Sequence, residues 1–203
     1  MLNLRVRPIL ARVLDPMAAR MLSAGITPDA VTLAGTVGAL AGALVFFPQG
    51  RFLTGTIIVA LSVLTDLLDG VMARRRGGAS RFGAWLDSSC DRLADAAIFS
   101  GLVLWFSGQG RSDLLVGVAL YCLVSGMLVS YVKARAEGLG MTCAVGIAER
   151  AERLIIVLTG TALAGFGLAG AIPVALWLLA GLSTVTVWQR FAEVRRQALL
   201  PPA

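Results

Sequence analysis

Four aspartates interrupt otherwise apolar sequence in the run DLLDGVMARRRGGASRFGAWLDSSCD, from Asp66 to Asp91. Asp66 and Asp69 are spaced i, i+3, and Asp87 and Asp91 are spaced i, i+4, so each pair shares one helix face. Four uncompensated carboxylates in low-dielectric surroundings are very unfavourable, so either some are protonated or cations sit among them. Two facing acidic pairs suit one or two divalent ions with oxygen ligands, most simply Mg²⁺, with Mn²⁺ able to substitute. Gly70 and Ala73 continue the face of the first pair and Gly83 precedes the second by one turn, which leaves room for something bulky beside the metals.

The elements that must position these residues can be read around them. The segment from Arg74 to Arg81 (RRRGGASR) is basic and glycine-rich and predicts a break between two antiparallel helices. At about 1.5 Å per residue both acidic pairs lie roughly 8–15 Å from that break, at similar depth. The carrying helices are predicted over about 53–74 and 82–106. A first span covers 30–50, which holds no charge, and a fourth covers about 114–136. Residues 154–189 are 36 uncharged positions in a row. That exceeds one crossing of about 30 Å, so Gly165 to Pro173 is read as a turn between a fifth and a sixth span. The last helix extends to the Arg190–Arg196 region.

Composition agrees. Of 203 residues 57% are hydrophobic and 15% charged, with a mean hydropathy of +0.81. A soluble domain of this length carries more charge. The fold class expected is an all-α integral membrane protein, six transmembrane helices preceded by an N-terminal amphipathic juxtamembrane helix. It forms one domain over 1–203, with the surface helix in 1–24 and the bundle in 25–197. The leading helix rests on Leu10, Val13, Leu14, Met17, Met21 and Leu22 at helical spacing, with Arg5, Arg12 and Arg20 elsewhere around it. With no histidine in the chain, His-based catalysis and His metal ligands are excluded. Cys90, Cys122 and Cys143 are too dispersed for a zinc site.

Six crossings from a cytoplasmic N-terminus put all but Arg51 and Arg111 of the 18 cations at or near the cytoplasmic side. The acidic site then lies at the cytoplasmic end of spans two and three, in the cell (plasma) membrane. The net charge of +6 is placed for anionic lipid and phosphate, not for nucleic acid.

The eight positions Asp66, Asp69, Gly70, Ala73, Arg74, Gly83, Asp87 and Asp91 resemble the full signature of the CDP-alcohol phosphotransferase family. The resemblance implies a CDP-linked lipid as donor, with Asp66, Asp69, Asp87 and Asp91 as metal ligands. It implies Asp91 as the base that takes the proton of the attacking hydroxyl. Gly70 and Ala73 would admit the nucleotide, and Arg74 would pair with phosphate. Ser80 and the start of span one, Asp29, Ala30, Val31 and Thr32, match family positions near the nucleotide and its phosphates. A homodimer is also implied.

A second polar group closes span four (Ser130 to Glu137) and opens span five (Glu149 to Leu154), with Arg190 near the end of span six. Such a ring of cations could hold a phosphate on the acceptor. It could equally be interfacial snorkelling that sets topology. SYVKARAE followed by ERAERLIIVLTG is similar to actinobacterial phosphatidylinositol phosphate synthases. That similarity implies transfer of a phosphatidyl group from CDP-diacylglycerol to 1D-myo-inositol 3-phosphate, with release of CMP. Ser130, Lys133, Arg153 and Arg190 would hold the inositol phosphate, and Arg135 would be a weaker partner. Glycerol 3-phosphate and free inositol are the alternative acceptors. A cation transporter with an intramembrane acidic site is the alternative of another class. It would need polar groups through the full membrane thickness, and spans one, five and six have almost none beyond their cytoplasmic ends.

Overall fold

The computed structural model describes residues 14–199, and every regular element in them is helical. Helix α1 covers 14–23. It is followed by α2 (Pro28–Ala41), α3 (Phe52–Arg75), α4 (Arg81–Ser107), α5 (Asp113–Glu137), α6 (Arg150–Gly165) and α7 (Ala171–Ala198). A π-helical turn, Gly42–Phe46, prolongs α2. The span limits read from the sequence agree with these helices to within a few residues, and the break at 165–173 separates α6 from α7.

Local chemistry sets the ends nearest the acidic run. Thr27 caps α2 by accepting from the Ala30 amide at 3.2 Å, with Pro28 at the first helical position. Helix α3 ends in a glycine-dependent turn. The Gly78 amide donates to Ala73 O and the Gly77 amide to Arg74 O, and both glycines have positive φ, 124° and 95°. Ser80 then caps α4 by accepting from the Gly83 amide at 2.9 Å. The chain thus reverses between the two acidic pairs in five residues, Arg76 to Ser80.

Among the described residues four helices are long and apolar enough to cross a membrane: Pro28–Phe46, Phe52–Arg75, Asp113–Glu137 and Ala171–Ala198. The chain is a multi-pass membrane protein. Helix α4 has the length but carries Asp87, Asp91, Arg92 and Asp95, and α6 has only 16 residues. The helices pack as a ring in the order α2, α3, α6, α7, α5, α4 and back to α2. Helices α3 and α4, neighbours in sequence, are not neighbours in this ring.

Small residues let the ring close. A Cβ on Gly101 would stand 2.4 Å from Ala43 O, and one on Gly35 would stand 1.9 Å from Thr65 Oγ1. Phe47, Ile98, Leu102, Leu176 and Leu179 fill the main core. A smaller core lies beside the acidic site, where Ala18 of α1 is buried against Val31, Leu68, Val71 and Met72, with Leu14, Met21 and Leu22 packed around them. The apolar stripe of α1 is therefore turned largely to the protein, with Met17 exposed. Asp15 anchors α1 by accepting from Arg75 Nε at 2.7 Å and Nη2 at 2.5 Å, and these bonds hold its carboxyl below the usual carboxylate range. The leading portion with Arg5, Arg7, Leu10, Arg12 and Val13 lies outside the described residues.

Candidate active site

Because α3 and α4 splay from their tight turn, a cavity of about 540 Å³ opens between them, closed on one side by the start of α2. Asp66, Asp69, Gly70, Ala73 and Arg74 line it from α3, Ser80, Gly83 and Asp87 from the start of α4, and Asp29 and Thr32 from α2. Ten of the residues singled out in the sequence thus share one space. Ala30 and Val31 are not among its lining residues. Ala30 gives its amide to the Thr27 cap, and Val31 is a core residue. Ser80 serves both as helix cap and as cavity wall.

The two glycines have different tasks. A Cβ on Gly83 would stand 3.1 Å from both Asp29 Oδ1 and Ser80 Oγ, so this glycine lets α4 approach α2. A Cβ on Gly70 would meet only Arg74 Nη1, at 3.5 Å, and otherwise open into the cavity. Gly70 thus keeps free a space that no atom of the described residues fills. Asp69, 6% exposed, is held in place by a hydrogen bond from Thr32 Oγ1.

Asp91 is on the far side of Asp66. It lies in a narrow cleft with Asp66, Cys90 and Arg150, and does not line the large cavity. Arg150, the first residue of α6, reaches between the helices. Its Nη1 stands 2.7 Å from Asp91 Oδ1 and 3.3 Å from Asp66 Oδ2, and its Nε 3.4 Å from Asp95 Oδ1. Arg92 Nη2 adds a longer contact, 3.7 Å to Asp91 Oδ2. The carboxylates are drawn onto these partners. Among the described residues no three of them converge closely enough to share one ion as they lie. Their oxygens are nonetheless the donor set that a hard divalent ion takes.

The second polar group sits around the same end of the bundle. Arg153 is 3% exposed and donates from Nη2 to Asp95 Oδ2 at 3.0 Å; its Nε is buried without a partner among the described residues. Arg190, also 3% exposed, donates to Val129 O at 2.5 Å, to Val145 O at 2.9 Å and to Glu149 at 3.3 Å. It joins α7, the end of α5 and the loop before α6. Ser130 accepts from Arg92 and donates to Gly126 O at 3.2 Å. Lys133 reaches Glu137 at 4.0 Å, and Arg135 is exposed. The structure therefore brings Ser130 and Arg153 to the back of the acidic site through Arg92 and Asp95. Lys133 and Arg135 stay on the surface.

Two members of the site escape the sequence reading. Asp95 continues the Asp87, Asp91 face by one more turn, a signal present in the i, i+4 spacing. Arg150 lies in the second polar group, but nothing local there points to the acidic pairs. Only the packing of α6 against α3 brings it to aspartates far upstream.

The fold and this site define a class. Residues 25–189 match the CDP-alcohol phosphatidyltransferase family, and the chain belongs to that family of membrane enzymes. It is similar, at 50% identity over 205 residues, to the phosphatidylinositol phosphate synthase of Streptomyces avermitilis, covering 98% of this chain and 84% of that one. The phosphatidylinositol phosphate synthase of Mycobacterium tuberculosis is 47% identical over 191 residues, covering 93% of this chain and 88% of the relative. The crystal structure of the Mycobacterium tuberculosis enzyme with CDP-DAG bound superposes with a TM-score of 0.89 at 45% identity, covering 95% of this chain and 99% of that chain. The same enzyme in complex with manganese and citrate gives a TM-score of 0.88 at 45% identity, covering 94% and 93%.

Proposed function

We propose that the protein transfers a phosphatidyl group from CDP-diacylglycerol to a hydroxyl of 1D-myo-inositol 3-phosphate, giving phosphatidylinositol phosphate and CMP. The observation that carries this reading is the cavity between α3 and α4, where Asp66, Asp69 and Asp87 of the acidic run, the free space at Gly70 and the basic Arg74 face one volume. That lining suits a pyrophosphate with a nucleotide attached. The similarity to phosphatidylinositol phosphate synthases supports the acceptor.

The acidic set fits divalent cations. Its donors are all carboxylate oxygens, and a cation, the Arg150 guanidinium, already bridges Asp66 and Asp91. Asp66, Asp69, Asp87 and Asp91 would hold two Mg²⁺ ions, with Mn²⁺ as substitute. When bound, the ions neutralise the pyrophosphate and polarise its phosphorus for in-line attack. The chain's own residues do the rest. Thr32 fixes Asp69. Gly70 and Ala73 admit the cytidine, while Arg74, Ser80, Asp29 and Thr32 surround the phosphates. Asp91 takes the proton of the acceptor hydroxyl as its oxygen bonds to the phosphatidyl phosphorus. The phosphorus–oxygen bond to CMP breaks, and CMP leaves with that electron pair. Lys133, Arg153 and Arg190, with Ser130 and more weakly Arg135, hold the acceptor phosphate.

The reading extends to the membrane. Helices α4 and α6 join the four apolar helices as crossings, giving six spans with the N-terminus and the site on the cytoplasmic side of the plasma membrane. Helix α1 lies along that surface, the chain forms one domain, and the enzyme works as a homodimer.

The test uses purified protein in detergent with CDP-diacylglycerol, Mg²⁺ and 1D-myo-inositol 3-phosphate. The lipid product is weighed by mass spectrometry and CMP is counted. One CMP per phosphatidylinositol phosphate, abolished by chelator and restored by Mg²⁺, is expected. A different lipid product, or turnover that persists in chelator, overturns the reading.

A further inference from the structure

Arg150 belongs neither to the proposed donor site nor to the proposed acceptor clamp, yet it has the most charged partners of any side chain near the cavity. It bridges Asp66 on α3 to Asp91 and Asp95 on α4, at 3.3, 2.7 and 3.4 Å. We propose that Arg150 is an internal counter-cation that competes with the divalent ion for Asp66 and Asp91 and so sets the metal affinity of the site. This rests on the metal-binding reading above.

The geometry has three parts. First, the carboxylate oxygens Asp66 Oδ2 and Asp91 Oδ1 both point to Arg150 Nη1. A divalent ion that approaches those oxygens to about 2.0–2.1 Å is repelled at close range by the guanidinium charge held on them. Second, Arg150 has somewhere to go. Its Nε already touches Asp95, which is 6% exposed and sits away from the cavity lining. Third, Asp95 never loses its counter-charge, because Arg153 Nη2 holds its other oxygen at 3.0 Å. The side chain can therefore swing off Asp66 and Asp91 without leaving a buried charge unpaired at Asp95. Arg92 does not replace it, since it reaches Asp91 only at 3.7 Å and is bonded to Ser130.

The experiment measures Mn²⁺ binding to the full-length protein in detergent, by the loss of the free aquo-ion signal in electron paramagnetic resonance. Wild type is compared with Arg150→Gln and Arg150→Lys. Arg150→Gln removes the competing charge and should bind Mn²⁺ at least about tenfold more tightly, a difference worth about 1.4 kcal/mol. Arg150→Lys keeps the charge but loses the fork, and should bind more tightly than wild type by a smaller factor, about threefold. Melting provides an independent measure. Metal-free Arg150→Gln should melt below wild type because Asp66 and Asp91 then repel without relief, and saturating Mn²⁺ should raise its Tm by more than it raises that of wild type. Unchanged or weaker Mn²⁺ binding in both variants, or equal Mn²⁺-induced Tm rises, overturns the counter-cation while leaving the metal reading intact. Absence of Mn²⁺ binding in wild type and in both variants overturns the metal reading and the counter-cation with it.

Discussion

Gly70→Ala separates what the cavity does for the ligand from what it does for the fold. In the folded protein the new methyl meets only Arg74 Nη1, at 3.5 Å, an ordinary contact with the end of a flexible side chain. Gly70 sits inside α3, where alanine is favoured over glycine by about 0.5–1 kcal/mol. For a chain of this size that corresponds to a rise in Tm of roughly 1–4 °C. The same methyl enters the volume assigned to the nucleotide. Crowding a well-fitted contact costs about 1–3 kcal/mol, so kcat/KM for CDP-diacylglycerol should fall between roughly fivefold and hundredfold. If the contact is equal in ground and transition states, the loss appears in KM. The assay is CMP release against CDP-diacylglycerol concentration, paired with thermal unfolding in detergent. A kcat/KM within twofold of wild type would refute the assignment of this space to the donor, and a clear drop in Tm would refute the claim that Gly70 is free of packing duties.

Gly101→Ala should behave in the opposite way, because its Cβ would stand 2.4 Å from the Ala43 carbonyl oxygen. Overpacking of about 1–3 kcal/mol should lower Tm, with KM for CDP-diacylglycerol nearly unchanged in the folded fraction. Asp66→Asn, Asp69→Asn and Asp87→Asn each remove a proposed metal-ligand charge and should abolish CMP release at ordinary Mg²⁺. Asp91→Asn should abolish turnover while donor binding persists, and substantial activity in it would rule out Asp91 as the base. A cysteine at Gly77 should react with an impermeant thiol reagent from the cytoplasmic side and one at Gln109 from the outside, in a background without the native cysteines. Reaction of both from one side would sink the six-span topology.

The helices were legible because uncharged runs, Thr-Pro and Gly-Gly punctuation, and the basic turn mark their limits directly. The acidic pairs were legible because helical spacing alone puts each on one face. The ring order α2, α3, α6, α7, α5, α4 was not. Helices surrounded by lipid are apolar on nearly every side, so no stripe tells one neighbour from another. The same limit hid Arg150, whose role depends on α6 lying against α3. It also left the second basic group ambiguous. In sequence Arg153 and Arg190 read either as holders of the acceptor phosphate or as snorkelling interfacial cations; the structure buries both and ties them to Asp95 and to backbone carbonyls. The dual nature of Ser80 was half visible: the family resemblance put it beside the donor, while its cap on the Gly83 amide was not read.

The most direct test of the account is a comparison of acceptors. Purified wild type is given CDP-diacylglycerol and Mg²⁺ with 1D-myo-inositol 3-phosphate, free inositol or glycerol 3-phosphate, and kcat/KM is taken from CMP release, alongside Arg153→Ala. Each charge-assisted contact to the acceptor phosphate contributes about 1.5–3 kcal/mol, so inositol phosphate should exceed free inositol by at least roughly tenfold. Arg153→Ala should lose about tenfold to hundredfold on inositol phosphate and little on donor binding. Equal use of free inositol and inositol phosphate by the wild type would contradict the acceptor clamp, and faster turnover with glycerol 3-phosphate would contradict the proposed reaction.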